Sequence, residues 1–276
     1  MRGKATILLI FLAIAFSSFT GCEKDPGPDD NEQERSGKIR FEFLHHANGE
    51  PLIFDSLMYE NAAGNEYLVN EIQYFISDVT LHYEDNSTYL VDEWKDIHYV
   101  DTDLDDTHQW NVFDDIPAGT VKKISFVFGI REEKNQSLMF TDPPESLMFW
   151  PEYLGGGYHY MKLNGKWKTP EGIMHPFDFH LGIGQIYDNE GNITGFIQNY
   201  FTVHLEEPGF SFFSVDPDHE TIIQLIMNID NWFRNPNTYN HNNWGGDIMQ
   251  KQEAMILGCE NGHDVFTVGD IIQPGK

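Results

Sequence analysis

The sequence predicts an all-β protein: an antiparallel β-sandwich forming one large domain, with long loops and a short C-terminal helix. Three observations favour this class. Many short segments alternate between apolar and polar side chains, as strands with one buried face do. Those segments are rich in β-branched and aromatic residues. Clusters of Gly, Asn, Asp and Pro separate them, and such clusters are typical of turns.

Seven segments carry the strand pattern, in chain order residues 39–46, 72–83, 122–130, 158–163, 177–181, 199–205 and 221–229. The turn signal Pro117-Ala118-Gly119 precedes the third of them. One segment, residues 247–257, has a helical pattern instead. Asp247 is its predicted N-cap, and Gly258 is its predicted end.

The amino terminus has the features of a bacterial lipoprotein. Arg2 and Lys4 precede an apolar run at residues 7–16, which is too short to span a bilayer. Small residues follow and end at Cys22. We therefore expect residues 1–21 to be a signal peptide and Cys22 to be acylated, with several acyl chains giving a stable membrane anchor.

Residues 22–37 are polar and acidic, so they are predicted to form a disordered tether, and residues 38–272 the folded domain. Localisation in the cell envelope follows, with anchoring to the outer membrane. The residues just after Cys22 resemble an acidic signal for the outer face of that membrane. A plain solvated linker is the open alternative.

The composition excludes several function classes. The formal net charge of −27 rules out electrostatic binding to nucleic acid. Only two cysteines are present, so an acylated Cys22 leaves Cys259 without an internal disulfide partner. The sequence has no nucleophile elbow, P-loop, dinucleotide fingerprint or HExxH motif. We therefore expect a binding protein and not an enzyme; the oligomeric state is left open.

The histidines indicate a metal site. The chain has 12 of them, and imidazole is the commonest protein ligand for copper and zinc. His159 and His180 lie in two predicted strands joined by a Gly- and Pro-containing connection. If these strands pair as a hairpin, both imidazoles could reach one metal ion. The alternative is two ordinary histidines of a β-sheet.

Several blocks of sequence resemble the MbnP-like family of copper-associated exported proteins. The clearest are residues 148–151, 156–165 and 179–182, which read MFWP, GGYHYMKLNG and FHLG. The upstream matches are residues 72–81, 97–101, 116–119 and 124–129. The resemblance extends from about residue 38 to about residue 266. It departs at residues 135–136, which read Asn-Gln where some copper-linked members have Asn-His.

This resemblance implies an exported β-sandwich in which copper is bound by two histidines and a kynurenine made from tryptophan. It implies a role in copper acquisition or storage, and a di-haem cytochrome c peroxidase as partner. The candidate ligands carried over are His180 first, then His159 and His98. Trp150 and Trp94 are the candidate modified residues, with a core aromatic as the alternative for Trp150.

Two further segments each have two interpretations. Residues 228–244 are rich in Asn and aromatic residues, which suits either a glycan-binding loop or an ordered loop that closes the sandwich. The acidic stretch 101–106, with Asp114 and Asp115, could bind calcium or form a solvated loop. The alternative function is therefore a carbohydrate-binding or structural surface lipoprotein without metal.

Overall fold

The computed structural model describes residues 35–92 and 96–275. The described residues form one compact unit. The predicted signal peptide, Cys22, most of the predicted tether and Trp94 lie outside the described residues, so the expectations about them remain predictions.

The described chain is mainly β-structure, which confirms the predicted fold class. Its strands are β1 Ser36–Ala47, β2 Glu50–Pro51, β3 Tyr59–Glu60, β4 Glu66–Tyr83, β5 Thr88–Leu90, β6 Ile97–Asp101, β7 Gln109–Asn111, β8 Ile116–Pro117, β9 Gly119–Phe128, β10 Met161–Lys168, β11 Met174–Leu181, β12 Gly184–Tyr187, β13 Ile193–Ile197, β14 Phe201–Leu205, β15 Phe213–Val215, β16 Glu220–Asn228 and β17 Phe266–Ile272. Its α-helices are α1 His241–Trp244 and α2 Gln252–Asn261. None of the helices described is long and apolar enough to cross a membrane.

The first sheet has the order β17-β16-β1-β2, with β7 and β8 also paired to β1. Strands β1 and β16 run parallel, with Phe43 aligned to Leu225, whereas the other strand pairs of this sheet are antiparallel. A parallel pair requires a long crossover connection. Here the whole second sheet lies between β1 and β16 along the chain, so that requirement is met.

The second sheet has the order β11-β10-β4-β9-β14; in addition, β3, β5 and β6 pair with β4, and β15 pairs with β9. Strand β4 is its long central element. Strands β12 and β13 form a separate two-stranded sheet. Aromatic rings from the two large sheets meet in the core: the Phe43 and Tyr74 ring centres lie 6.5 Å apart, and those of Phe126 and Phe266 lie 5.2 Å apart. Burial of such large apolar surfaces is the main source of stability.

The C-terminal helix differs from its prediction. Helix α2 begins at Gln252, and Asp247 caps a turn instead, by accepting a hydrogen bond from the Met249 backbone N–H at 2.9 Å. Gly258 lies inside the helix. A Cβ atom there would stand 2.6 Å from Cζ of Phe179, so the glycine permits close packing of the helix on β11 and does not end the helix.

Cys259 is the free cysteine of the described chain. Its thiol donates to the backbone oxygen of Asn199 at 3.2 Å. Burial, followed by the nearby Glu260 charge, raises the pKa of the thiol to about 12. The thiol therefore remains protonated and unreactive at physiological pH.

Candidate metal centre

Two histidines meet at one end of the β10–β11 hairpin. His180 lies near the end of β11 and pairs directly with Lys162. His159 precedes β10, which begins at Met161 and not at residue 158 as the sequence predicted. The adjacent Tyr160 backbone N–H donates to the Leu181 carbonyl at 2.8 Å. This hydrogen bond brings the segment carrying His159 against the end of β11.

The ring centres of His159 and His180 lie 5.2 Å apart, with an angle of 84° between the ring planes. An imidazole nitrogen lies about 1.1 Å from its ring centre and a metal–nitrogen bond measures about 2.0–2.1 Å, so two rings sharing one metal have centres at most about 6.3 Å apart. The separation of this pair is therefore within the range of a shared metal ion.

The hydrogen bond of His159 determines which ring nitrogen is available to a metal. Its Nδ1 lies 2.8 Å from the Met148 backbone oxygen. A carbonyl oxygen only accepts hydrogen bonds, so Nδ1 carries the proton and Nε2 carries the lone pair. Nε2 is buried and has no hydrogen-bond partner among the described residues.

A hydrogen bond also holds His180, but the roles of its two ring nitrogens are the reverse of those in His159. Its Nε2 lies 2.7 Å from Oδ1 of Asn164. The Asn164 Nδ2 donates to Oε2 of Glu71 at 3.1 Å, which fixes the orientation of the amide. Nε2 of His180 therefore donates, and Nδ1 carries the lone pair. Nδ1 is also buried and lacks a partner in the part of the chain that the structure describes.

Both imidazoles are neutral at physiological pH. Burial, followed by the Lys162 charge, lowers the pKa of His159 to about 3, although the hydrogen bonds to Met148 and Phe149 oppose this effect. Burial also lowers the pKa of His180 well below its usual value, with His159 and Lys162 contributing. A neutral imidazole can bind a metal without first releasing a proton.

Trp150 lies beside this pair. Its ring centre is 4.6 Å from that of His159, and its side chain is fully buried. Its Nε1 donates to the Leu154 backbone oxygen at 3.1 Å. Its six-membered ring packs on Gly182, where a Cβ atom would stand 2.5 Å from Cζ3 of Trp150. The indole is thus a packed core residue and also a direct neighbour of the candidate ligands.

Lys162 adds a positive charge to the surroundings of the pair. Its Nζ donates to the Leu147 backbone oxygen at 2.7 Å, and its charge lowers the pKa of both histidines. A nearby ammonium group repels a divalent ion about twice as strongly as a monovalent one, because the interaction energy scales with charge. The charge of Lys162 therefore disfavours a divalent ion at this position more than a monovalent one.

Comparisons with known proteins identify the family of this chain. The model of the MbnP family matches residues 36–251. The chain belongs to the MbnP family. A solved structure, MbnP from Methylosinus trichosporium, aligns with a TM-score of 0.54 and 14% identity over 85% of this chain and 99% of that one. At this identity the likeness shows a shared fold. No curated protein matches the chain.

The third candidate histidine of this MbnP-family chain lies elsewhere. His98 is on β6, where its ring stacks between Phe43 and Trp110, with ring centres 5.0 and 5.1 Å away. Its Nε2 bonds to the Thr107 backbone oxygen at 3.0 Å. Among the described residues, no three His, Cys, Asp or Glu side chains form a group that could hold a metal. The structure therefore brings together His159, His180 and Trp150, without His98.

Asn164, Lys162 and Glu71 are the parts of this site that the sequence prediction missed. Lys162 and Asn164 are two residues apart on β10, so alternation places both on one face of the sheet. Lys162 lies directly opposite His180. That spacing was a usable signal once the hairpin was predicted, whereas nothing in the local sequence indicated the contact with Glu71.

The two remaining candidate segments gain no support as ligand sites. In the acidic stretch, Oδ2 of Asp101 already accepts hydrogen bonds from Gln73 and Tyr99. In residues 228–244, the side chains of Trp232, Phe233 and Tyr239 are buried in the core. Their faces cannot stack on a sugar ring. This favours the interpretation of that segment as an ordered loop closing the sandwich.

Proposed function

We propose that this chain is an exported, lipid-anchored MbnP-family protein that binds copper in acquisition or storage, with His159 and His180 as its ligands. One observation carries the proposal. The imidazoles of buried His159 and half-buried His180 lie 5.2 Å apart, and each has a buried lone-pair nitrogen without a partner among the described residues, while its other nitrogen is held by a hydrogen bond. Such outer hydrogen bonds orient metal-binding histidines.

Copper in its monovalent state fits these donors best. Imidazole nitrogen suits copper, and monovalent copper accepts few ligands. The two donors are neutral, and Lys162 supplies a positive charge that opposes divalent ions more strongly. The family resemblance adds the expectation of copper on independent grounds.

Trp150 is the proposed source of a third ligand. Oxidation of its indole ring adds two oxygen atoms, and hydrolysis then removes one carbon as formate to leave kynurenine. The product carries an aromatic amine where the indole nitrogen was. Trp150 is the better candidate because its ring lies 4.6 Å from His159. Trp94, the other candidate, lies outside the described residues.

A di-haem cytochrome c peroxidase is the proposed partner, because enzymes of that kind supply the oxidising equivalents that kynurenine formation needs.

Acylation of Cys22 is the proposed anchor, which would hold the domain at the outer membrane through an acidic tether. Labelling cells with a radioactive fatty acid tests this anchor. The label is expected on the native chain and not on Cys22→Ala.

Metal analysis of the protein purified from its native host tests the copper proposal. We expect about one copper at this site, lost in His180→Ala because one of two buried donors is removed. His175→Ala is the matched control, since His175 lies on the same strand β11 and is exposed. Equal copper content in both variants would contradict the proposed site and leave a structural or carbohydrate-binding lipoprotein as the alternative.

The intact mass of the native protein tests the modification. Conversion of one tryptophan to kynurenine raises the mass by about 4 Da, a covalent change that the sequence does not encode. The shift is expected in the native protein and absent from Trp150→Phe. An unshifted native mass would leave Trp150 as a core aromatic.

A further inference from the structure

A second set of metal-binding side chains lies between the two large sheets. We propose that His45, His108 and Met227 form a second site for monovalent copper, separate from the site at His159 and His180. This proposal does not depend on the first site, because it uses other residues on other elements.

His45 faces the space between the sheets. It follows Phe43 by two residues on β1, so both side chains lie on one face of the strand. Their rings both contact Tyr74 of the second sheet, with ring centres 5.8 Å from His45 and 6.5 Å from Phe43. Met227 is aligned with His45 in the parallel pair of β1 and β16 and is fully buried. Neighbouring strands lie about 4.8 Å apart, and aligned residues of a parallel pair point to the same face, so the two side chains start from adjacent positions on that face.

Two polar atoms in this space have no partner in residues 35–92 and 96–275. They are Nε2 of His45 and the hydroxyl oxygen of Tyr74, and both are buried. Buried polar atoms nearly always have a hydrogen-bond partner, because leaving one unpaired is costly. These two atoms are therefore available to a ligand bound between the sheets.

His108 supplies the second imidazole. Its ring centre is 6.0 Å from that of His45, just within the limit of about 6.3 Å for two rings that share one metal. Its Nε2 lies 3.0 Å from the Asp101 backbone oxygen, which only accepts. Nε2 therefore carries the proton, and Nδ1 of His108 carries the lone pair. At His159, too, a hydrogen bond to a backbone oxygen leaves the other ring nitrogen with the lone pair.

The chemistry of these three donor side chains indicates which metal ion they favour. Two imidazoles and a thioether are neutral, and thioether sulfur favours monovalent copper over zinc or calcium. The carboxylate of Asp101, whose backbone oxygen contacts His108, is bonded through its oxygens to Gln73, Tyr99 and the Asp103 backbone N–H. It is therefore not positioned to serve as a hard oxygen ligand. A buried water on His45 and Tyr74 is the alternative occupant.

Titration of the full chain with monovalent copper against a colorimetric chelator tests the proposal. We expect two equivalents in the native protein, with one lost in His108→Ala and the other lost in His180→Ala. His46→Ala is the control, because His46 points to the opposite face of β1. One equivalent in the native protein, unchanged in His108→Ala, would overturn the second site. A single equivalent lost only in His108→Ala would uphold it and overturn the first.

X-ray absorption gives an independent measurement. A copper–sulfur shell at about 2.3 Å is expected in the native protein and absent from Met227→Leu, which preserves the side-chain volume. Circular dichroism identifies any variant that fails to fold. If Met227→Leu fails to fold, the copper titration of His108→Ala tests the second site instead, because His108 is partly exposed. Copper without any sulfur shell would refute the role of Met227.

Discussion

Replacing Asn164 with leucine tests how the protein prepares His180 for copper. In the native structure, Nε2–H of His180 donates to Oδ1 of Asn164 at 2.7 Å, and Glu71 holds the amide from its other side at 3.1 Å. Asn164→Leu keeps the size of the side chain and removes the acceptor. The proton of His180 is then free to move to Nδ1, which is the nitrogen required by the metal.

The expected magnitude follows from the role of this hydrogen bond. Loss of an outer-shell partner of a metal-binding histidine typically costs about 10–100-fold in metal affinity. That factor corresponds to about 1.4–2.8 kcal/mol of binding free energy. We expect a loss of this size for monovalent copper at His159 and His180, and no loss at His45 and His108, which lie on other elements.

The assay is competition against a chelator specific for monovalent copper. Nitrogen-15 NMR of the His180 ring supplies a second readout, with the proton expected on Nε2 in the native protein. Asn243→Leu is the matched control, because Asn243 is exposed in α1. Unchanged copper affinity in Asn164→Leu, or a native His180 protonated on Nδ1, would refute the reasoning.

Two further predictions concern charge and burial. Lys162→Met removes the positive charge near His159 and His180, so we expect calorimetry to show tighter metal binding there. The gain in binding free energy is expected to be about twice as large for Zn²⁺ as for Cu⁺. Equal gains for the two ions would contradict the electrostatic argument. His241 is fully buried among aromatic rings with neither ring nitrogen bonded within the described chain, so His241→Leu is expected to raise the free energy of unfolding by about 1–2 kcal/mol at pH 7. Burial lowers the pKa of His241 to about 3, so below about pH 6.5 only the unfolded state binds this proton, and native stability falls towards pH 3. Urea unfolding across this range is expected to show a free energy of unfolding that depends less on pH in His241→Leu than in the native protein. A destabilised variant would contradict this prediction and indicate that a bound water forms hydrogen bonds with the His241 ring nitrogens.

The strand pattern of the sequence located β1, β4, β9, β11 and β16 correctly, because alternation reflects the local geometry of a strand with one buried face. It missed β12, β13 and β17. β12 has two buried residues followed by two exposed ones, β13 alternates but has no buried residue, and only the first residue of β17 is buried. It also placed helix α2 too early. Gly258 resembles a helix end in the sequence, but its contact with Phe179 comes from another part of the chain.

The sequence alone was sufficient to predict the sandwich. It offered the proximity of His159 to His180 as one of two interpretations, on the condition that their strands pair as a hairpin. Only the tertiary structure decided that His98 stacks on Phe43 and Trp110, and that His45 and Met227 meet on parallel strands. Periodicity is a property of neighbouring residues, whereas the direction of an imidazole lone pair depends on acceptors brought in from distant segments. For His180 those partners are Asn164 and Glu71, and the pairing of β4 with β10 places them.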